Sequence, residues 1–225
     1  MKHGKKYRES MKKYEVAVSY ELKEAITLVK SMAYAKFDET IELHIKLNLK
    51  KSQSVRDTVV LPHQFRGDKK ILVFCKPEKE SEAKEAGAAF IGADELIEKV
   101  KGGWTDFDVA VATPDMMKDV GKLGMVLGRK GLMPNPKTGT VTFDIKGALA
   151  ELKKGRVEFR ADKTGVVHLA VGKVSMDPEM VAENIRTAVT EIRRKRPVDA
   201  KGDFIRTISV ASTMGPGVWV IVKEE

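Results

Sequence analysis

Three polar side chains, Thr40, Glu42 and His44, occupy alternate positions in the segment KFDETIELHIKLNL at residues 36–49. They offer a hydroxyl, a carboxylate and an imidazole for hydrogen bonding. The odd-numbered positions from 41 to 49 are all Ile or Leu. Because side chains alternate between the two faces of a strand, we predict a strand with one buried and one polar face. Since Glu and Asn are depleted in strands, the polar face is either a recognition surface or a solvated face of unusual composition.

A second alternating segment, RVEFRADKTGVVHLAV at residues 156–171, adds polar groups of the same kind. Its middle, DKTG, favours a tight turn, because Asp and Gly tolerate the backbone angles of such turns. We therefore predict a hairpin that places Arg160, Asp162 and His168 on its outward side.

A third group of candidate contact residues follows the predicted strand FIRTISVAS, where STMG occupies residues 212–215. A turn at residues 214–217 then leads into a short final strand. Ser and Gly permit close approach of another molecule, and Phe37 and Met214 add exposed apolar groups. Folded RNA is recognised by shape, ribose hydroxyls and stacking, which this mixture suits.

The sequence carries no signature of a catalytic or nucleotide-binding site. No predicted strand is followed by GxGxxG, and the Gly-Lys pairs at 4–5, 121–122 and 172–173 lack the Ser or Thr of a phosphate-binding loop. The four histidines have no metal-ligand spacing. The single cysteine, Cys75, lies in the apolar run ILVFC and is predicted to be a buried thiol. We expect a protein without metal or cofactor that is not an enzyme.

The charge balance favours an anionic partner. The chain has 225 residues and a formal net charge of +9, from 41 Lys and Arg against 32 Asp and Glu. Nucleic acid ranks ahead of membrane because no stretch is long and apolar enough to span a bilayer. The first 13 residues lack the apolar core of a secretory signal, so a cytoplasmic location is expected. The basic arm at residues 1–14 and RRKR at 193–196 either contact phosphates or only add solubilising charge.

The two ends of the chain favour one antiparallel sheet with helices on one side. A helix is predicted after Ser19, its expected N-cap, with residues 22, 25, 26, 29 and 32 on its apolar face. A second helix is predicted from Asp177 as N-cap and Pro178 as first residue. It would bury Val181, Ile185, Val189 and Ile192. The predicted strands are half-exposed, as is typical of antiparallel sheets.

The middle of the chain has a different pattern. Short apolar runs at 71–75, 88–92 and 107–113 are each followed by a helix-like segment, which indicates a parallel β/α sheet, and a last helix is predicted at 144–155. Each flank of about 65 residues is small for a core of its own. We therefore predict a two-domain α/β protein: a split α+β domain at 1–66 and 156–225, predicted to bind RNA, and an inserted three-layer, Rossmann-like β/α domain at 67–155.

The segment LGRKGLMPNPKTGTV at residues 127–141 combines a stiffened loop with the positive charges of Arg129, Lys130 and Lys137. Such a loop either holds a phosphate group or RNA, since its amides and charges suit an anion, or is a rigid connector facing the other domain. The sequence leaves both interpretations open.

Taken together, these segments resemble the bacterial form of the large-subunit ribosomal protein L-one family, the protein of the mobile ribosomal stalk. The resemblance runs nearly from end to end and is carried, in the same order and spacing, by HGKKYRE, AKFDETIELHIKLN, VLPH, FDVAVATPDMM, LGRKGLMPNPKTGTV, FRADKTGVVHLAVGK and STMGPGV.

The resemblance implies a two-domain fold with both termini in the RNA-binding domain. It also implies binding to the stalk segment of large-subunit ribosomal RNA, a part in releasing deacylated tRNA from the exit site, and repression of the protein's own operon through a similar fold in the messenger. Off the ribosome we expect a monomer. Carried over position by position, the RNA-binding residues are Lys36, Phe37, Thr40, Glu42, Lys163, Thr164, Gly165, His168, Ser212, Thr213, Met214 and Gly215, to which the strand patterns add His44 and Asp162.

Overall fold

The computed structural model describes residues 4–50, 53–65, 67, 69–197 and 202–222, without the side chain of Lys137. His3, which belongs to the predicted basic arm, lies outside the described residues. Contacts within the chain define two compact units. Unit 1 comprises Met1–Phe65 and Val157–Glu225, and unit 2 comprises Arg66–Arg156. That each unit is an independent domain stays a prediction.

The described residues form eighteen regular elements in chain order, besides short 3-10 turns. They are α1 (Lys5–Met11), β1 (Ser19–Glu21), α2 (Leu22–Met32), β2 (Thr40–Leu47), β3 (Arg56–Val60), β4 (Ile71–Phe74), α3 (Glu80–Glu85), β5 (Phe90–Gly92), α4 (Asp94–Lys101), β6 (Val109–Ala112), α5 (Met117–Val120), α6 (Gly124–Arg129), α7 (Ile145–Lys153), β7 (Arg156–Arg160), β8 (Val166–Lys173), α8 (Pro178–Arg194), β9 (Ile205–Ser212) and β10 (Val218–Ile221).

Unit 1 is built on a five-stranded sheet in the order β1-β10-β9-β2-β8. The pairs β10-β9, β9-β2 and β2-β8 are antiparallel, whereas β1 pairs in parallel with β10. Helices α2 and α8 cover one face, where their apolar side chains share a core with the odd-numbered residues of β2. The predicted alternation is confirmed, because Ile41, Leu43, Ile45 and Leu47 are buried and the residues between them are only half-buried. The opposite face is therefore open.

The two long helices of unit 1 differ in how they begin. Helix α8 starts as predicted, because the Asp177 carboxylate accepts a hydrogen bond from the Glu179 amide at 2.9 Å and Pro178 is its first residue. The prediction of Ser19 as the N-cap of α2 is wrong. Ser19 lies in β1, and Glu21 precedes the helix without a side-chain capping bond. Pairing with Trp219, two hundred residues away, holds Ser19 in the sheet.

The predicted hairpin at residues 156–171 is also largely wrong. Strand β7 pairs with β3 in a separate two-stranded sheet, whereas β8 joins the main sheet beside β2. Only a single bridge between Ala161 and Val167 connects the two segments. The predicted tight turn is present at residues 162–165, but the strands it joins diverge because each pairs with a different strand, β7 with β3 and β8 with β2.

Unit 2 is a parallel sheet of three strands in the order β5-β4-β6, as predicted. Alternate residues of β4 enter two cores: Leu72 and Phe74 pack with α4 and the segment from α5 to α6, and Ile71 and Val73 pack with α3 and α7. These cores on opposite faces give the predicted three-layer arrangement. Cys75 is buried, and burial raises the pKa of its thiol.

Candidate nucleic-acid interface

The open face of the main sheet carries the polar side chains that the alternating pattern singled out. Two rows of paired residues cross the strands there. His44 of β2 lies opposite His168 of β8 and Ser209 of β9. Glu42 lies opposite Ala170 and Ala211, so its partners on the neighbouring strands are small. We call this surface the β2 strip. It comprises the open face of β2 and β8, with residues 36–39 and 212–215 at one end and residues 162–165 at the other.

At one end of the β2 strip, the turn at residues 212–215 is bonded to the start of β2. The Thr213 hydroxyl accepts a hydrogen bond from the Thr40 amide at 2.9 Å and lies 3.2 Å from the Thr40 carbonyl. The Tyr34 hydroxyl donates to the Met214 carbonyl at 2.8 Å. Phe37 and Met214 protrude here, with 57% and 48% of their surfaces exposed. Hydrogen bonds thus hold the backbone segments that carry these exposed apolar side chains.

Glu39 organises this end of the strip and was missed by the sequence analysis. Its side chain is only 1% exposed. One carboxylate oxygen accepts hydrogen bonds from the amides of Tyr34 at 3.0 Å and Ala35 at 2.8 Å, and the other accepts from the Met214 amide at 3.1 Å. Burial alone would raise the pKa of Glu39, but the amide donors, Ala35 first, hold it below its ordinary value. The signal was available, because a carboxylate at position 39 shares the odd parity of the buried face.

In the middle of the β2 strip, His44 and His168 form a coupled pair. Their Nδ1 atoms lie 2.9 Å apart, so one ring donates to the other. Burial, then the neighbouring His168, lowers the pKa of His44, while Glu42 opposes this shift from 4.0 Å. No group of three or more potential metal ligands occurs in the part of the chain that the structure describes. Because the pKa of His44 is lowered, its ring favours the neutral form, which can either donate to or accept from His168.

From the lowered pKa of His44 we predict that the free energy of unfolding depends on pH. Because the folded-state pKa of His44 lies below its ordinary value of 6.5, the unfolded chain binds more protons below that pH, and folding weakens as pH falls. We expect the free energy of unfolding to decrease between pH 7.5 and 5.5, and the decrease to shrink in His44→Gln. Urea denaturation at several pH values measures both slopes. Equal slopes in the two proteins would contradict the assignment.

At the other end of the β2 strip, the 162–165 turn folds around one carboxylate. Asp162 accepts hydrogen bonds from the Val166 amide at 2.8 Å and from the Thr164 amide at 2.8 Å and hydroxyl at 2.7 Å, which hold its pKa below the usual range. Gly165 has a φ of +79°, and a Cβ there would lie 3.2 Å from the Leu47 carbonyl, so glycine is required. Lys163 is exposed beside a cleft of about 520 Å³.

The structure therefore distributes the predicted RNA-binding residues along a strip instead of gathering them in one pocket. An eight-residue strand spans about 26 Å, which separates the two ends. Most of these side chains lie at the surface, but Ser212 is 4% exposed and Gly165 is buried. These two residues contribute to the candidate interface by shaping its turns.

The predicted basic loop of unit 2, at residues 127–141, is internally hydrogen-bonded in its second half. The hydroxyls of Thr138 and Thr140 lie 3.0 and 3.2 Å from the Asn135 carbonyl, and Thr140 also accepts from the Asn135 amide at 2.8 Å. Arg129 and Lys130 are exposed, and Lys130 donates to the Thr105 hydroxyl. Lys137, the third predicted contact, has no described side chain.

No helix in the described ranges is both long enough and apolar enough to cross a membrane. A family profile described as "Ribosomal protein L1p/L10e family" matches residues 29–216 of the chain. This match includes β2, β8 and the turns at both ends of the β2 strip.

Full-length relatives are similar along the whole chain. "Large ribosomal subunit protein uL1" of Treponema denticola is 67% identical over 99% of both chains. The protein of that name from Treponema pallidum is 61% identical over 100% of both. The Leptospira biflexa protein is 56% identical over 100% of this chain and 97% of its own length.

Proposed function

The chain belongs to the ribosomal protein L-one family, and from that premise we propose that unit 1 binds the stalk segment of large-subunit ribosomal RNA along the β2 strip. The match to large-subunit proteins over the full length makes the chain a protein of the large ribosomal subunit, with ribosomal RNA as its partner. The observation that carries the finer proposal is the open sheet face, which no helix of the described residues covers and which presents donors, acceptors and apolar groups together.

Each part of the strip suits a different feature of folded RNA. Glu42 and Thr40 offer oxygen atoms to ribose hydroxyls, which distinguish RNA from DNA. Phe37 offers an aromatic face for stacking against bases, and Met214 offers apolar surface for packing against the RNA. Lys36 and Lys163 are exposed at opposite ends, where they are placed to pair with phosphates. Direct contacts to base edges are not needed for recognition of this kind, because the shape of the fold is what is recognised.

Sequence-independent affinity would come from basic residues outside the strip. Lys5 and Lys6 are exposed on α1, a helix that occupies half of the predicted basic arm. The positive net charge of +9 supports a general attraction to phosphates.

The same strip supports two further roles as part of the proposal. A protein on the mobile stalk would take part in releasing deacylated tRNA from the exit site. A messenger that folds like the stalk segment would compete for the strip, so excess protein would repress translation of its own operon. Both roles place the protein at the ribosome and its messenger, without catalysis.

The proposal is tested by comparing RNAs. We expect the whole chain to bind a stalk transcript at least about a hundredfold more tightly than a duplex DNA of equal length, since the shape-specific contacts would add to the electrostatic ones. Filter binding at one fixed salt concentration measures both affinities. A stalk transcript whose unpaired nucleotides are closed into a duplex is the matched control.

Two outcomes would favour other functions. Equal affinity for the stalk transcript and duplex DNA would indicate a non-specific DNA-compacting protein. Saturable micromolar binding of ATP or NAD by calorimetry would support a nucleotide-dependent enzyme built on the β/α sheet of unit 2, which is the class of function that its fold invites.

A further inference from the structure

Resting on the proposed RNA function, we infer that Trp219 is a stacking platform for one unpaired nucleotide of the bound RNA, with Arg206 placed for its phosphate. This site lies near the β1 edge of the sheet, away from β8 at the other edge, and none of its residues belongs to the β2 strip.

The indole is held on the open face by the sheet itself. Strand β10 alternates between buried Val218 and Val220 and outward-facing Trp219 and Ile221, which are 40% and 51% exposed. The cross-strand neighbours of Trp219 are Ser19 and Ser209. Both paired neighbours are small and the indole is 40% exposed, so a base can approach the ring.

A cleft of about 490 Å³ opens beside the indole. The cleft offers an apolar floor, hydroxyl donors and two guanidinium groups. Its lining includes Ser19, Arg193, Arg206, Thr207, Trp219 and Ile221.

Charge and position favour RNA over other occupants. Arg206 is exposed and is oriented by a 2.8 Å hydrogen bond to the Asn48 side chain. A guanidinium in that position suits a phosphate, and an aromatic ring beside it is the arrangement that binds single-stranded nucleotides. The Trp219 row also continues through Ser209 to His44 on the same face. An RNA lying on the β2 strip can therefore extend to the indole without leaving the open face.

The test uses the whole chain labelled with 5-fluorotryptophan and titrated with the stalk transcript. The chain has two tryptophans, and Trp104 packs against Phe90 and Phe107 within unit 2, so it serves as an internal reference. We expect the fluorine signal of Trp219 to shift on binding while that of Trp104 does not. Trp219→Phe assigns the signals.

Affinity measurements separate stacking from simple apolar contact. Trp219→Leu is expected to weaken stalk RNA binding about fivefold or more, and Trp219→Phe to retain most of it, because only an aromatic face stacks on a base. Arg206→Gln is expected to lower the salt dependence of binding by roughly one phosphate contact.

The outcomes distinguish this site from the proposed function. If the transcript binds but the Trp219 signal does not move, or if Trp219→Leu binds as the wild type does, the platform is disproved and the β2 strip stands. If no stalk RNA binds at all, both proposals fail. If the chain self-associates in a concentration-dependent way that Trp219→Leu abolishes, the face joins two copies of the protein, and the inference is wrong.

Discussion

Met214→Asp is expected to weaken binding of the stalk transcript by more than about tenfold, or over about 1.4 kcal/mol, while leaving the melting temperature nearly unchanged. The side chain is 48% exposed at the tip of the 212–215 turn, so the fold does not depend on it. Aspartate would remove an apolar contact and place a negative charge against phosphates. The backbone bonds that hold this turn, from Tyr34 and to Glu39, do not involve the side chain.

The matched control is Met180→Asp. Met180 is 44% exposed on α8, the helix that covers the opposite face of the sheet. It therefore introduces the same charge change into the same unit, away from the open face. Filter binding should show no effect for Met180→Asp. Similar losses in both variants would mean that net charge alone determines affinity, and the role of the turn would be refuted.

Thr213→Ala is less suitable for this purpose. Its hydroxyl accepts a hydrogen bond from the Thr40 amide. Its removal would therefore weaken the attachment of the turn to β2 and also change the candidate contact surface. A loss of affinity in that variant would mix two causes. Exposure and bonding together make Met214 the cleaner probe of recognition.

The sequence predicted those parts of the fold that depend on local pattern. The alternation in β2, the Asp177 cap of α8 and the apolar runs of unit 2 each reflect neighbours within a few residues, and all three are confirmed. The predictions of Ser19 as an N-cap and of a hairpin at residues 156–171 were wrong for the same reason. Which strand pairs with which depends on distant partners, such as Trp219 for Ser19.

The candidate site shows the same division. Alternation identified the side chains that point outward, and the resemblance added the turns. Neither could show that Glu39 joins residues 34–35 to the 212–215 turn, because that bonding spans the chain from one end to the other. The pairing of His44 with His168 also needed the register of β2 against β8.

Glu39→Gln is expected to lower both stability and RNA affinity, because it removes the hydrogen bond between this side chain and the Met214 amide. Its remaining carbonyl oxygen can still accept from Tyr34 and Ala35, but the new NH₂ group then faces the Met214 amide, which is itself a donor. Leaving a buried donor unpaired costs about 1–3 kcal/mol. The 212–215 turn is then no longer hydrogen-bonded to residue 39. We therefore expect a lower free energy of unfolding and a loss of stalk RNA affinity of about tenfold or more.

Urea denaturation and filter binding measure these effects, with Glu24→Gln as control because Glu24 is an exposed residue of α2 that makes the same change of charge. The pH dependence adds a second readout. Since the pKa of Glu39 is depressed below 4.5 in the folded protein, its stabilising contribution is present above that value and is lost as pH falls through the lowered pKa. Glu39→Gln should therefore lose less stability on acidification than the wild type. If its affinity and acid sensitivity match those of Glu24→Gln, the buried carboxylate does not organise the turn, and the frame beneath Met214 must be held by other bonds.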